Sequence, residues 1–287
     1  MGDYHTSVLL REAVDGLDVQ SGKRYVDATV GGGGHTAEIL ARGGIVLGID
    51  TDEDSIRHVR QRVVSNQLTL VQGNFRDIEL IAKENGFDQV NGVFFDLGVS
   101  SHQLNERTRG FSHRFDDAPL DMRLGNQIGQ KAEDIVRQAS LDELYDIFAT
   151  YGEEQLASPI ARAIVHARAV MPITTSGQLA AIVQGAVRDQ RHSTAILSRI
   201  YQAIRIAVND EMGALRQGLF GAMHMLSPGG RMAIISFHSL EDRMVKQFFR
   251  SSFWKTINKR PITPRELELY DNPRARSAKL RIGEKII

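Results

Sequence analysis

Four consecutive glycines, Gly31 to Gly34, follow the run Val26-Asp27-Ala28-Thr29-Val30 and open onto His35. No other feature of this chain restricts its fold so sharply. Arg24 to Thr29 reads as a strand, and His35 to Ala41, ended by Gly43-Gly44, reads as the start of a helix. Glycines between a first strand and a first helix let a ligand lie against the backbone, because no Cβ intervenes. A purely structural turn usually draws on Ser, Thr, Asn or Pro as well, and none stands among these four.

The strand and helix signals keep alternating. Ile45 to Asp50 is a short apolar run ending in an acid, which suits a parallel strand buried on both faces. Ser55 to Val64 has helical spacing, Leu68 to Gln72 reads as a third strand, Ile78 to Glu84 as a helix and Val90 to Leu97 as a fourth strand. Such units predict an α/β fold with a doubly wound, mostly parallel sheet. The rhythm then stops. Leu104 to Gly129 is polar and loop-like. Helical signals follow at Ala132–Gln138, at Leu141–Thr150 behind the capping box Ser140 to Glu143, and at Glu153–Ala169, Ser176–Arg188 and Ile196–Leu219. Strand signals return at Arg231–Ser236, after the turn Ser227-Pro228-Gly229-Gly230. The prediction is a helical domain, residues 104–210, inserted into an α/β domain made of residues 1–103 and 211–287.

Composition excludes several classes. There is no cysteine, so no disulfide framework, thiolate metal site or cysteine nucleophile. Nothing approaches the roughly 20 apolar residues of a spanning helix, and Met1 to Ser7 lacks a signal pattern. The expectation is a soluble, cytoplasmic protein with no membrane partner. The net charge of zero conceals an asymmetry: −6 over residues 1–100 and +6 over residues 250–287. A basic tail fits a polyanion partner, and equally a solvated surface.

The ligand is read in three steps. Gly32-x-Gly34-x-x-Ala37 satisfies the dinucleotide pattern, and Asp50 lies about 20 residues beyond the glycines, where a ribose hydroxyl sits in such folds. A nicotinamide oxidoreductase fits these residues as well as any rival. Gly73-Asn74-Phe75-Arg76-Asp77 then offers an aromatic face and an acid for an adenine, although Phe75 also suits a core position. Finally, Asp96-Leu97-Gly98-Val99-Ser100-Ser101-His102-Gln103 sets a carboxylate and two hydroxyls at the C-terminal edge of the fourth strand, where open α/β sheets bind ligands. That segment resembles the motif of methyltransferases that act on exocyclic amines.

Further blocks extend the resemblance nearly end to end: His5 to Leu10, Arg109-Gly110-Phe111-Ser112, Pro119 to Arg123, Tyr151 to Glu154, Ile160 to Ile164, Ala203 to Asn209, Pro228 to Arg231, Ser236 to Arg243 and Asn272 to Ser277. Together they resemble the bacterial small-subunit ribosomal RNA (cytosine-N4) methyltransferase H family, the MraW type. The resemblance implies a Rossmann-like class I methyltransferase domain with a helical domain inserted after the fourth strand. It implies S-adenosyl-L-methionine as cofactor, held by Gly31, Gly33, Gly34, His35, Asp50, Phe75, Asp96 and Gln103. The implied substrate is the N4 amine of a decoding-region cytosine in 16S ribosomal RNA, cytosine 1402 in the standard rRNA numbering. The small ribosomal subunit is the expected partner, and a homodimer is compatible with the family. Three stretches depart from the family pattern: His113 stands where an aromatic is usual, His192 to Gln202 is longer and lacks a proline, and the region before Asn272 is short.

A cytosine amine is a poor nucleophile, because its lone pair is delocalised into the ring. An acceptor against its N–H groups would localise that pair and orient it. Asp96, Ser100 and Ser101 are the candidates, and no metal is expected. For RNA contact the candidates are Arg107 and Arg109 beside Phe111, as an arginine–aromatic pair holding an extruded base. Arg199, Arg205, His238, Arg274 and Arg276 join them, with Arg162, Arg168, Arg188, Arg191, Lys279 and Arg281 as further phosphate contacts. His35, His102 and His238 suit structural positions equally well, and the acids after Ser239 read as helix-capping groups. A ribosome assembly factor that keeps a donor pocket without catalysis is the third reading.

Overall fold

The computed structural model describes residues 7–100, 103–104, 106–125, 129–187 and 190–287. The chain divides into two compact units, Met1–Ser100 with Met212–Ile287, and Ser101–Glu211. It begins with α1 (Leu10–Leu17), β1 (Arg24–Asp27), α2 (Gly34–Ala41), β2 (Ile45–Asp50), α3 (Glu53–Arg62), β3 (Leu68–Gln72), α4 (Ile78–Glu84) and β4 (Val90–Asp96). The second unit supplies α5 (Ala132–Gln138), α6 (Leu141–Thr150), α7 (Ala157–Val170), α8 (Ser176–Ala186) and α9 (Ser193–Asn209). The chain then returns through α10 (Glu211–Met225), β5 (Leu226–Ser236), α11 (Ser239–Phe248), β6 (Trp254–Thr256), α12 (Glu266–Asp271), a 3-10 turn at Pro273–Ser277, and β7 (Lys279–Lys285).

The seven strands form one sheet in the order β3-β2-β1-β4-β5-β7-β6. The neighbours among β1 to β5 pair in parallel, and β7 runs antiparallel to both β5 and β6. This is a Rossmann-like, doubly wound sheet, parallel except for β7. The apolar runs explain it. Successive strand residues point to opposite faces, and here both faces are covered. Val26, Leu47, Phe95 and Ile234 pack into one buried layer, while their neighbours Tyr25, Val46, Phe94 and Ile235 pack into the other.

The second unit is helical. Helix α7 packs on α6 and α8, and α9 crosses α5, α6 and α8. Phe148, Ile160, Ile164, Leu179, Ile200 and Ile204 are buried there. Asn209, at the end of α9, is buried and fully engaged. The Asn209 amide donates to the carbonyls of Met122 and Arg205, both at 2.8 Å, and its oxygen accepts the N–H of Leu124 at 2.8 Å. The Arg109 carbonyl accepts the Met122 N–H at 2.8 Å. Three separate sequence blocks, around residues 109, 122 and 209, are thereby joined.

Several boundaries differ from expectation, each for a local reason. The helical run across Ile196–Leu219 is broken at Asp210, whose backbone is left-handed at φ 46°. Helix α7 begins at Ala157 because Glu153 also takes positive φ. The Ser227 to Gly230 turn lies within β5, as an irregularity where the pairing steps from Val90–Leu226 to Gly92–Arg231. The basic tail supplies β6, α12 and β7, elements its charge pattern concealed. No helix among the described residues is long and apolar enough to cross a membrane.

Candidate active site

Strand β1 delivers Asp27 to the base of the glycine turn. The Asp27 carboxylate accepts the Thr36 hydroxyl at 2.6 Å and the Thr29 N–H at 3.2 Å. It is completely buried. Burial pushes its pKa up to about 7, against the opposing hydrogen bond from Thr36. The nearby Asp96 and Asp50 carboxylates act in the same direction as burial.

The turn itself is built on glycine geometry. Gly33 has φ 80°, and a Cβ there would lie 2.8 Å from Val59. Gly31 has φ 51°, and its front face is open: a Cβ placed there would come no nearer than 4.0 Å to any neighbour, the Thr29 carbonyl. The Gly31 N–H donates to Asp50 Oδ2 at 2.8 Å, and Asp50 Oδ1 accepts the Asp52 N–H at 2.8 Å. Asp50 therefore ties the loop to the end of β2, with one carboxylate oxygen on Gly31 and the other on Asp52.

Asp96 ends β4 on the same sheet edge. Its N–H donates to the Thr29 hydroxyl at 2.6 Å. Thr29 thus links Asp27 and Asp96, one through its backbone and the other through its side chain. His35 is buried, with Nε2 3.1 Å from the Val8 carbonyl and its ring 4.2 Å from that of Phe94. Its Nδ1 stands 4.0 Å from Asp96 Oδ2. Phe75 is half-buried and meets Phe95 edge-on at 5.7 Å, with Gly218 pressed against its ring. Asp77 is exposed and offers no side-chain cap to α4. Ser100 is half-buried, and Ser101 lies outside the described residues.

These residues fit an adenosyl ligand with an amino-acid tail. The open face at Gly31 admits a ligand against the backbone, and a carboxylate at the end of β2 suits a ribose diol. Thr29, Thr36 and Asp27 escaped the sequence reading, although Asp27 and Thr29 lie within the glycine motif. Their signal was the spacing of short polar side chains across a buried turn.

The expected RNA contacts are more divided. Among the candidates of the first unit, His238 is the N-cap of α11, and its side chain is 8% exposed. Its Nδ1 accepts the Glu241 N–H at 3.4 Å, and its Nε2 faces Glu241 Oε1 at 3.1 Å. The cap is therefore His238 and not Ser239, because Glu241 stands three residues after the histidine. Arg281 is buried and donates to Asp242 at 2.7 Å, and Lys279 reaches the same carboxylate at 3.4 Å. Arg276 is exposed, and Arg274 is half-buried.

Within the second unit, Arg107 lies over the Phe115 ring at 4.9 Å, and Arg109 pairs with Glu106 at 3.0 Å. The expected partner, Phe111, is buried. The arginine–aromatic pair therefore exists with Phe115, because Phe111 is taken up by the core. Arg199 donates to Glu154 at 2.7 and 2.8 Å. Arg205 grips Glu211 through two bonds of 2.8 and 2.9 Å. Arg168 donates to the Val136 carbonyl at 2.8 Å, Arg162 is exposed, and Arg188 lies outside the described residues. Gln103 is buried within this unit.

Known proteins match this chain over almost its whole length. The family model described as the MraW methylase family covers residues 3–286. The ribosomal RNA small subunit methyltransferase H of Deinococcus radiodurans is 48% identical over 282 residues, covering 98% of this chain and 89% of that protein. The protein of the same name from Carboxydothermus hydrogenoformans is 43% identical over 305 residues, covering 98% of each. Among solved structures, an rRNA methylase from Streptococcus thermophilus matches at a TM-score of 0.43 and 14% identity, covering 97% of this chain and 94% of that one. Membership follows from the sequence matches and agrees with a glycine turn, an acid ending β2 and an edge carboxylate on one sheet: the chain belongs to the MraW methylase family.

Proposed function

We propose that this protein uses S-adenosylmethionine to methylate the N4 amine of a cytosine in the decoding region of small-subunit ribosomal RNA. The observation that carries the reading is Asp96, a carboxylate held at the end of β4 by Thr29, on the edge that also presents the glycine turn and Asp50. A nicotinamide enzyme has no role for that carboxylate. The names of the relatives from Deinococcus radiodurans and Carboxydothermus hydrogenoformans supply the RNA.

Bound S-adenosylmethionine supplies a methyl group already activated on a cationic sulfur. The chain's task is to hold that group and orient the acceptor. The backbone from Gly31 to Gly34 would lie against the amino-acid portion, Asp50 would take the ribose hydroxyls, and Phe75 would border the adenine. Asp96 accepts an N–H of the cytosine amine, which draws electron density onto nitrogen and fixes its direction. In this reading the same carboxylate takes the proton that the amine sheds. Holding the two reactants in line supplies much of the remaining acceleration, on the order of several kcal/mol. In this reading the first unit is the donor domain and the second recognises the substrate, with Arg107 and Arg109 as RNA contacts.

The experiment is methylation of small subunits isolated from a strain lacking the gene, with digestion of the RNA and mass analysis for N4-methylcytidine. The expected result is donor-dependent appearance of that nucleoside. Full N4 methylation in the deletion strain would overturn the reading. Donor binding without any transfer, on subunits or on free RNA, would make the protein an assembly factor. Tight binding of NAD in place of S-adenosylmethionine would restore the oxidoreductase.

A further inference from the structure

The tail of the chain carries two kinds of cation. Those in and beside the sheet are engaged: Lys255 with Glu284, Lys279 and Arg281 with Asp242, and Lys285 with the carbonyls of Met223 and Leu226. Four of those between β6 and β7 are not. Lys259, Arg260, Arg265 and Arg276 are exposed, and no carboxylate pairs with their side chains among the described residues. Against these four cations stand two exposed acids, Glu266 and Asp271.

Helix α12 lies in the middle of this basic segment and shows an unusual face. Leu267 is 83% exposed and Tyr270 is 87% exposed. They are three residues apart, so they share one side of the helix. The exposure is not fraying. Leu269 packs into the core, and the Glu268 carboxylate accepts the N–H of Leu9 at 2.7 Å. Ile262 exchanges both backbone bonds with Leu280 of β7, at 2.8 and 3.0 Å. The 3-10 turn carrying Arg276 packs directly on α12. A fixed scaffold therefore presents a bare aromatic ring among unpaired cations. Burying Tyr270 inward would have been the ordinary use of such a residue.

We propose that residues 259–276 form a docking surface for single-stranded RNA, in which Tyr270 stacks on a base and Lys259, Arg260, Arg265 and Arg276 neutralise the flanking phosphates. The charge complementarity selects a polyanion. The aromatic face selects an unpaired base over a duplex backbone, because only a splayed base can stack on it. The inference rests on the RNA-methylating reading and adds a place where substrate RNA is held by a surface that contributes no reacting group.

The test uses the full chain and a fluorescein-labelled 12-nucleotide uridine RNA, followed by fluorescence anisotropy at several salt concentrations. Tyr270→Ala is expected to weaken binding fivefold to a hundredfold, the range of base–aromatic stacking, while Tyr270→Trp keeps it. The double variant Arg265→Gln, Arg276→Gln is expected to lower the salt slope by about 1.4, or about 0.7 for each lost single-strand phosphate contact. Unchanged melting temperatures and S-adenosylhomocysteine affinity would show that the variants fold. Equal affinities for wild type and Tyr270→Ala, or a wild type that does not bind the RNA at low salt, would overturn the proposal. Variants weakened only toward intact small subunits would also overturn it, assigning the surface to a ribosomal protein. Absence of N4-methylcytidine formation by the wild type would instead defeat the underlying reading and is scored separately.

Discussion

The N–H of Gly31 donates to the carboxylate of Asp50 at 2.8 Å, so the residue that would hold the ribose also holds the glycine turn. Asp50→Ala removes both functions. Hydrogen bonds to charged groups contribute about 1.5 to 3 kcal/mol each, so S-adenosylhomocysteine affinity should fall by about tenfold to a hundredfold. Calorimetric titration checks this, and an unchanged Kd would remove Asp50 from the donor site.

Asp27 should make stability depend on pH. Its folded pKa, about 7, lies above the ordinary 3.8, because burial disfavours the charged form. The folded state therefore holds an extra proton between about pH 4 and pH 7. Stability contributed by this group falls as pH rises through that window and is level above it. Asp27→Asn abolishes this dependence. From pH 5 to pH 8 the melting temperature of the variant should improve relative to wild type by at least a few degrees. A constant difference across that range would contradict the assignment.

Asp96→Asn should lower methyl transfer by about a hundredfold or more, the usual scale of a positioned acid–base group. Thr29→Val removes the hydroxyl that accepts the Asp96 N–H. It should cost about tenfold in rate, since it acts through the position of Asp96. Single-turnover assays at saturating donor separate these effects from binding. If the threonine variant were slower than the aspartate variant, the order of roles would be reversed.

Asn209→Ala leaves the Leu124 N–H and the Met122 carbonyl without their side-chain partner inside the second unit. The expected loss is about 2 to 4 kcal/mol, from unsatisfied groups with little access to water. Urea denaturation followed by circular dichroism reads it. A loss below about 1 kcal/mol would show that water replaces the amide.

Legibility followed the physics of each segment. Ile45–Asp50 and Leu68–Gln72 were readable to the residue, because short apolar runs bounded by polar residues have few other uses. The Ser140–Glu143 box likewise appeared as read, with reciprocal bonds of 2.7 and 3.2 Å. Strand β7 was hidden because Lys279, Arg281 and Lys285 interrupt its apolar pattern, and their ion pairs and carbonyl contacts are tertiary. Two departures from the family pattern also explain each other only in three dimensions. His113 lies 5.6 Å from the ring of Tyr201, in the altered 192–202 segment. Burial lowers the His113 pKa, as suits a neutral ring standing in for an aromatic one. The Asp27–Thr29–Asp96 linkage was invisible for the same reason, since its ends lie far apart in sequence.

Strand β7 follows β6 in the chain yet lies between β5 and β6 in the sheet. During synthesis β5 and β6 therefore emerge with nothing yet between them, and the open flank of β5 is an invitation to wrong pairing. A ribosome stalled before Lys279 would release a chain with the glycine turn, Asp50 and Asp96 all made, yet unable to close its sheet. An unfinished copy would thus carry an unpaired strand beside an already formed glycine turn.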